Sequence, residues 1–223
     1  MIRAVIFDLD NTLYSYDSCN EVAMSVLKNH CTFRFSISEE YFDKTFSMAK
    51  KMVKKRLGNT GSSHNRILYM QNFLELLGEK PVAGALDLYH CYWDTMLDIM
   101  KPFRYVQPLF QALKEKRIKI GVLTDLTACI QHCKIKRLGI EEYIDVMVTS
   151  EEAGQEKPAP RIFELMAGKL RLNPHEILMI GDSREKDIDG AKNAGMKGIL
   201  FRPDLEDRME ELCMELIQNE TQK

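Results

Sequence analysis

Four places in the chain carry side chains that could work together on an anionic substrate. An apolar run, Ile2–Phe7, leads directly into Asp8-Leu9-Asp10-Asn11-Thr12. A second run, Ile118–Leu123, ends in Thr124-Asp125, and a third, Ile144–Val148, is followed by Glu156-Lys157-Pro158. A fourth, Ile177–Ile180, leads into Gly181-Asp182-Ser183-Arg184-Glu185-Lys186-Asp187. Side chains alternate along an extended segment, so Asp8 and Asp10 start on one side. Two close carboxylates repel unless a proton or cation lies between them. A hard cation such as Mg2+, which takes oxygen ligands, would relieve that repulsion. The Thr124 hydroxyl, the amides after it and the Lys157 ammonium suit phosphoryl oxygens. The combined pattern is a cation held by carboxylates beside a phosphate held by an amine, a hydroxyl and backbone amides.

Taken singly, each place has a plainer reading. Asp8 and Asp10 fit a solvated strand end with helix-capping acids. Thr124-Asp125 fits an ordinary helix start. A lone loop lysine such as Lys157 is usually just solvated, and Asp187 suits a first helical turn. Gly181 reads as a residue that lets the backbone turn tightly before Asp182.

The elements that must position these residues follow an alternating pattern. The four runs and a fifth, Gly198–Phe201, are short and apolar without strict alternation, as strands covered on both faces require. Helical stretches separate the later ones: Thr127 to Leu138 before Gly139, Ala159 to Leu170, and Arg184 to Ala194 before Gly195. Asn173-Pro174 reads as an N-cap followed by proline at the first helical position. Leu205, Met209, Leu212 and Leu216 predict a last helix running to the C-terminus. This order predicts an α/β fold, a doubly wound parallel sheet. In such sheets ligands bind beyond the carboxyl ends of the strands, where all four places fall.

The first crossover departs from that pattern. Residues 9 to 117 separate the first two strands, whereas a whole βαβ unit takes roughly 30 residues or somewhat more. A crossover helix, Leu109 to Lys116 after Pro108, uses little of the gap. The remainder predicts an inserted all-helical domain. Phe42, Phe46, Ala49, Val53 and Leu57 recur at helical spacing, and Leu86, Tyr89, Trp93, Met96 and Met100 do so in its last helix. Gly58-Asn59-Thr60-Gly61-Ser62-Ser63 is a polar break between helices. The expected domains are therefore 1–14 with 103–223 for the α/β core and 15–102 for the helical insert.

Composition narrows the classes. The chain has 223 residues, 45% hydrophobic and 29% charged, with a formal net charge of −2, which excludes a mainly disordered chain and disfavours a dedicated nucleic-acid binder. No stretch approaches the roughly 20 apolar residues of a bilayer span, and Asp8 and Asp10 interrupt any export signal at the N-terminus. Cys19, Cys31, Cys91, Cys129, Cys133 and Cys213 are scattered, so reduced and mostly buried thiols in a cytoplasmic protein are expected.

With these residues in order, the chain resembles the haloacid dehalogenase superfamily of phosphohydrolases. Asp8-Leu9-Asp10-Asn11-Thr12 is similar to its first motif, Thr124 to its second, Lys157 to its third, and Gly181-Asp182 with Asp187 to its fourth. The match covers residues 1–14 and 103–223, and the insert falls where subfamily I carries a helical (C1-type) cap. The resemblance implies a Rossmann-like sheet with the first strand central and a turn-and-flap element around residues 11–17. It also implies roles. Asp8 is the nucleophile, and Asp10 the acid that protonates the leaving group and then activates water. Mg2+ is held by the Asp8 carboxylate, the Asp10 main-chain carbonyl and Asp182. Thr124, Asp125 and Lys157 bind phosphate, with Asp187 orienting Lys157 or a metal-bound water.

Asp10 favours phosphoryl transfer over dehalogenation, since the dehalogenases lack the second acid. The expected function is a Mg2+-dependent phosphatase for a small phosphorylated metabolite, with a lean to nucleoside monophosphates or sugar phosphates. A phosphosugar mutase and a non-catalytic binding protein on the same fold are the alternatives. Mutase relatives usually carry Gly where this chain has Asn11. Lys50, Lys51, Lys54, Lys55 and Arg56 read as a solvated helix face, while His64, Asn65 and Arg66 are candidates for substrate selection. No nucleic-acid or membrane partner is expected, and the chain is expected to be a monomer or homodimer.

Overall fold

Five parallel strands form one sheet in a computed structural model that describes residues 1–219. The strands are Ala4–Phe7 (β1), Lys119–Thr124 (β2), Val146–Thr149 (β3), Ile177–Gly181 (β4) and Lys197–Leu200 (β5), ordered β3-β2-β1-β4-β5. The end of β1 and the start of β4 coincide with the apolar runs, and the other boundaries differ from them by one or two residues, because pairing follows the alignment of neighbouring strands and not apolarity alone. β1 is central, and every residue of β1 and β4 is buried, which explains their lack of alternation. Phe7 lies level with Val122 of β2 and Ile180 of β4. Asp8, Leu123-Thr124 and Gly181-Asp182 therefore end side by side. The chain winds from β1 to β2 and β3, then crosses back to β4, so β1 and β4 flank a switch point.

Two compact units divide the chain: Met1–Ser15 with Lys101–Lys223, and Tyr16–Met100. The second holds four helices, Tyr16–Phe35 (α1), Glu39–Leu57 (α2), Arg66–Leu77 (α3) and Pro81–Ile99 (α4), with a 3-10 turn at Gly61–His64 in the polar break. Ser38 caps α2, its Oγ accepting from the Tyr41 amide at 3.2 Å. The interior is aromatic. Phe42 and Phe46 stack at 5.4 Å, and Phe73 meets them edge-on at 5.3 and 5.8 Å. The α4 stripe is corrected at one position. Leu86 is exposed, and Ala85, Leu88, Tyr92, Trp93 and Met96 form the buried face, since that face drifts with the 3.6-residue turn.

The first unit continues with Val106–Glu115 (α5), Ala128–Leu138 (α6), Ser150–Ala153 (α7), Pro160–Leu170 (α8), Gly190–Asn193 (α9) and Met209–Asn219 (α10). Pro108 lies inside the first turn of α5 and not before it; its missing N–H costs nothing there. Phe7 meets Phe110 of α5 at 4.9 Å on one face of the sheet, while Ala4 and Ile6 pack with Ile162, Phe163 and Met166 of α8 on the other. The predicted helix from Arg184 to Ala194 is two pieces, a π-helical Arg184–Asp189 and then α9. The last helix begins at Met209 after a 3-10 turn at Pro203–Arg208, so Leu205 precedes it. Its predicted course to the C-terminus concerns residues 220–223, outside the described residues. The implied flap is a turn after Asp10, with Tyr14 bridging to Asp10 and Pro102, and the first helix begins at Tyr16.

Cys129 and Cys133 are exposed on α6, against the expectation of mostly buried thiols, while Cys19, Cys31 and Cys213 are buried; none of the six is in a disulfide among the described residues. Among the described residues no helix is long and apolar enough to cross a membrane.

Gly121 of β2 faces Ile6, and a Cβ there would meet Ile6 Cγ2 at 2.8 Å and Met166 at 3.3 Å. Gly121→Ala is expected to destabilise the chain by about 1–3 kcal/mol through overpacking. At about 2–4 °C per kcal/mol for this size, calorimetry would read the drop, and an unchanged melting temperature would contradict the packing described.

Candidate active site

Lys157 binds the strand ends together. Its Nζ lies 2.6 Å from Asp8 Oδ1, 2.6 Å from Asp187 Oδ1 and 3.1 Å from the Leu123 carbonyl, and all three side chains are buried. Burial works against the ammonium, but Asp187 and Asp8 outweigh it and hold its pKa above the ordinary lysine value. Burial pushes the Asp8 carboxyl well above the usual carboxylate range. Lys157 pulls it down, and Asp187 and Asp10 push it up again. The loop is anchored as well: the Lys157 amide donates to Asp125 Oδ1 at 3.0 Å, and Lys186 Nζ to Asp125 Oδ2 at 2.9 Å. With its carboxylate so occupied, Asp125 can offer a phosphate only its backbone.

Gly181 has a reason other than the tight turn inferred from the sequence. It is the last residue of β4, and a Cβ there would lie 2.4 Å from the Asp187 carboxyl group. Only glycine lets Asp187 reach back under the strand end. The π-helical turn brings it there: the Asp187 and Ile188 amides both donate to the Ser183 carbonyl, at 3.0 and 3.3 Å. Asp187 Oδ2 in turn accepts from the Ser183 amide at 2.9 Å, shaping the loop that carries Asp182.

Asp10 points into a different set of contacts. Lys134 Nζ lies 2.7 and 2.9 Å from its two carboxylate oxygens, and the Tyr14 hydroxyl donates to Oδ1 at 2.6 Å. Lys134 is fully buried on α6, with its Nζ 5.8 Å from the Tyr14 ring centroid. One turn earlier, Gln131 Nε2 donates to Thr124 Oγ1 at 2.5 Å and to the Asp125 carbonyl at 2.9 Å. Sequence reasoning missed Lys134, Gln131 and Tyr14. A signal existed: Gln131 and Lys134 fall among Ile130, Ile135 and Leu138 on the buried face of α6, where unpaired polar groups are costly.

Oxygen atoms of Asp8, Asp182 and Asp187 lie within 4.8 Å of one another. Asp182 reaches solvent, yet partial burial of its carboxyl, and then the Asp187 charge, raise its pKa. Three carboxylates against one ammonium leave a net negative cluster of hard oxygen donors, which fits a divalent cation. This set includes the Asp187 side chain, whereas the sequence reading took the Asp10 carbonyl as third ligand and placed Asp187 outside the metal.

The three substrate-selection candidates lie in the helical unit. His64 ends the 3-10 turn, Asn65 caps α3 by accepting from the Ile67 amide at 3.1 Å, and Arg66 is buried among aromatic rings. Lys50, Lys51, Lys54, Lys55 and Arg56 are exposed on α2.

The sequence profile of haloacid dehalogenase-like hydrolases matches residues 5–201. A ribulose-1,5-bisphosphate 5-phosphatase from Halopiger xanaduensis is 38% identical over 205 residues, 91% of this chain and 86% of that protein. A glyceraldehyde 3-phosphate phosphatase from Methanopyrus kandleri is 35% identical over 209 residues, 91% and 84% of the two chains. Among solved structures, a 2-haloacid dehalogenase from Pseudomonas syringae pv. Tomato superposes with a TM-score of 0.73 at 23% identity, covering 92% of this chain and 88% of that one. That likeness concerns the fold. The chain belongs to the haloacid dehalogenase-like hydrolases, and within them it is a phosphoric monoester hydrolase.

Lys134 is expected to matter most where the leaving group needs a proton. Lys134→Met should lower kcat on an alkyl phosphate by roughly 10–100-fold, within the reach of general acid–base effects, and far less on p-nitrophenyl phosphate. Equal losses on both esters in steady-state assays would show that the lysine does not act through Asp10.

Proposed function

We propose that this chain is a Mg2+-dependent phosphatase of small phosphorylated metabolites that works through an aspartyl phosphate on Asp8. The observation that carries this reading is Lys157, held 2.6 Å from Asp8 at the joined strand ends, with Asp182 alongside. Asp8 attacks phosphorus through a carboxylate oxygen, forming an acyl phosphate and releasing the alcohol. Asp10 gives the leaving oxygen its proton, then takes one from the water that cleaves the intermediate. Lys157 offsets charge on the nucleophile and on the phosphoryl oxygens, and Thr124, the backbone after it and Lys157 hold that group. Asp8, Asp182 and either the Asp10 carbonyl or Asp187 would hold Mg2+, which when bound lets one anion approach another.

The relatives named above carry names of phosphatases for a sugar bisphosphate and a triose phosphate, which supports a sugar phosphate over a nucleotide. Asn11 does not separate phosphatase from mutase by itself. Its φ of 58° is left-handed, a conformation that asparagine and glycine both adopt readily. We assign choice of the leaving group to the helical unit, in keeping with a cap.

Purified protein should release inorganic phosphate from a panel of sugar phosphates in Mg2+, and EDTA should abolish it. Asp8→Asn should lower kcat by roughly 10⁴-fold or more, as expected on losing a nucleophile. Full activity in that variant would overturn the assignment, and isomerised sugar phosphate without free phosphate would make the protein a mutase.

A further inference from the structure

Gln131 of α6 is a fully buried amide whose two ends are used unequally. Its Nε2 donates twice, to Thr124 Oγ1 at 2.5 Å and to the Asp125 carbonyl at 2.9 Å. Its Oε1, also buried, has no partner among the described residues. An unpaired buried acceptor is costly, so what the amide contributes here is its donor end. The Asp125 carbonyl fixes that polarity, because it can only accept. Turned over, the amide would set Oε1 against that oxygen. Asp125 cannot swing away, since its carboxylate is held by the Lys157 amide at 3.0 Å and by Lys186 Nζ at 2.9 Å.

A threonine hydroxyl has one proton to give and lone pairs to receive. Gln131 Nε2 supplies a proton to Oγ1, so the hydroxyl must send its own elsewhere. Among the described residues its acceptor is the Asp125 carbonyl at 3.2 Å. That is long beside the usual O–H···O distance of about 2.7–2.8 Å, and the same carbonyl already accepts from Gln131. An anionic phosphoryl oxygen is the stronger acceptor for this proton. The backbone is set by the same contact. A trans peptide points its C=O and N–H in opposite directions. With the Asp125 carbonyl turned to Gln131, the Leu126 amide points away from α6, and among the described residues it has no partner. Leu126 has a φ of 86°, a left-handed conformation uncommon for a bulky side chain. Such a residue persists where its surroundings hold it.

We infer that Gln131 is a positioning residue for phosphoryl transfer: it holds Thr124 Oγ1 and the Asp125 carbonyl as acceptors, which leaves the Thr124 O–H and the Leu126 N–H to donate to phosphoryl oxygens. The inference rests on the phosphatase reading above and deepens it by naming what aims the phosphate donors. Lys134, one turn further along α6, acts on Asp10 and so on the leaving group. The two contacts of this helix are therefore separable in kinetics.

The test is a double-mutant cycle of Gln131→Met and Thr124→Val, read on p-nitrophenyl phosphate, whose leaving group needs no proton. Gln131→Met should lower kcat/KM about 10-fold, the scale of one or two neutral hydrogen bonds, with the loss mainly in kcat. In the Thr124→Val background the same substitution should cost about threefold or less, because the hydroxyl it aims is gone. Gln131→Glu, which keeps the shape but can only accept, should lose more than Gln131→Met. The ratio of aryl to alkyl phosphate turnover should stay at the wild-type value in Gln131→Met, unlike in Lys134→Met. Equal losses in both Thr124 backgrounds, or a lowered melting temperature with unchanged kcat/KM, would make Gln131 a packing residue and overturn the inference. Should Gln131→Met fail to fold, Gln131→Asn, which withdraws the amide by one methylene, takes its place in the cycle. Wild type that hydrolyses neither p-nitrophenyl phosphate nor a sugar phosphate would sink the phosphatase reading instead. The cycle would then be read on the Kd of inorganic phosphate in Mg2+, where a weakening by Gln131→Met that vanishes in Thr124→Val supports the positioning role and no weakening overturns it.

Discussion

The site depends on one buried ammonium between two buried carboxylates. Lys157 meets Asp8 and Asp187 at 2.6 Å each, and it belongs to the loop after β3 while its partners follow β1 and β4. Removing one partner of such a buried pair costs about 3–5 kcal/mol, because the charge left behind is uncompensated. The triad therefore constrains which neighbours are possible. Gly181 must lack a Cβ so that Asp187 can reach the lysine, and the π-helical turn supplies the backbone that carries Asp187 there. The same triad leaves Asp8 crowded by negative charge, which a divalent cation would relieve. Fold stability and readiness for phosphoryl transfer are thus two consequences of one charge arrangement.

A second charged lysine serves the other acid. Lys134 and Tyr14 hold Asp10 at both oxygens, while Gln131 holds Thr124, so α6 fixes both side chains from one buried face. Asp8 and Asp10 each have their own lysine, Lys157 Nζ at 2.6 Å from Asp8 Oδ1 and Lys134 Nζ at 2.7 Å from Asp10 Oδ1. In the helical unit the buried charge is Arg66, which stands among rings and the Tyr16 hydroxyl, unlike the acid-rich strand ends.

The core was legible because its residues sit at the ends of apolar runs, where periodicity stops and charge begins. Asp8, Thr124 and Asp182 announce themselves that way, and parallel pairing on β1 then brings them level, while Lys157 reaches them from the loop after α7. Lys134 was not legible, since its partner Asp10 lies 124 positions away and its own segment reads as an ordinary amphipathic helix. The π-helical turn at Arg184–Asp189 was read as plain α-helix because the two share their apolar spacing over so few residues. Leu86 was misplaced for a related reason: a stripe defined by one hydrophobic too many tilts off the buried face. Arg66 was named as a selecting residue, but its aromatic surroundings come from three helices and depend on tertiary packing.

The proposed phosphoryl acceptor is a carboxylate oxygen of Asp8, and trapping the intermediate tests it most directly. The protein is quenched during turnover with borohydride, which reduces an acyl phosphate to an alcohol and frees phosphate. Position 8 is then read by peptide mass spectrometry. Homoserine is expected at position 8 in wild type, formed only when substrate and Mg2+ are both present. Sustained turnover with unmodified aspartate at position 8, or the same label at another carboxylate, would contradict it.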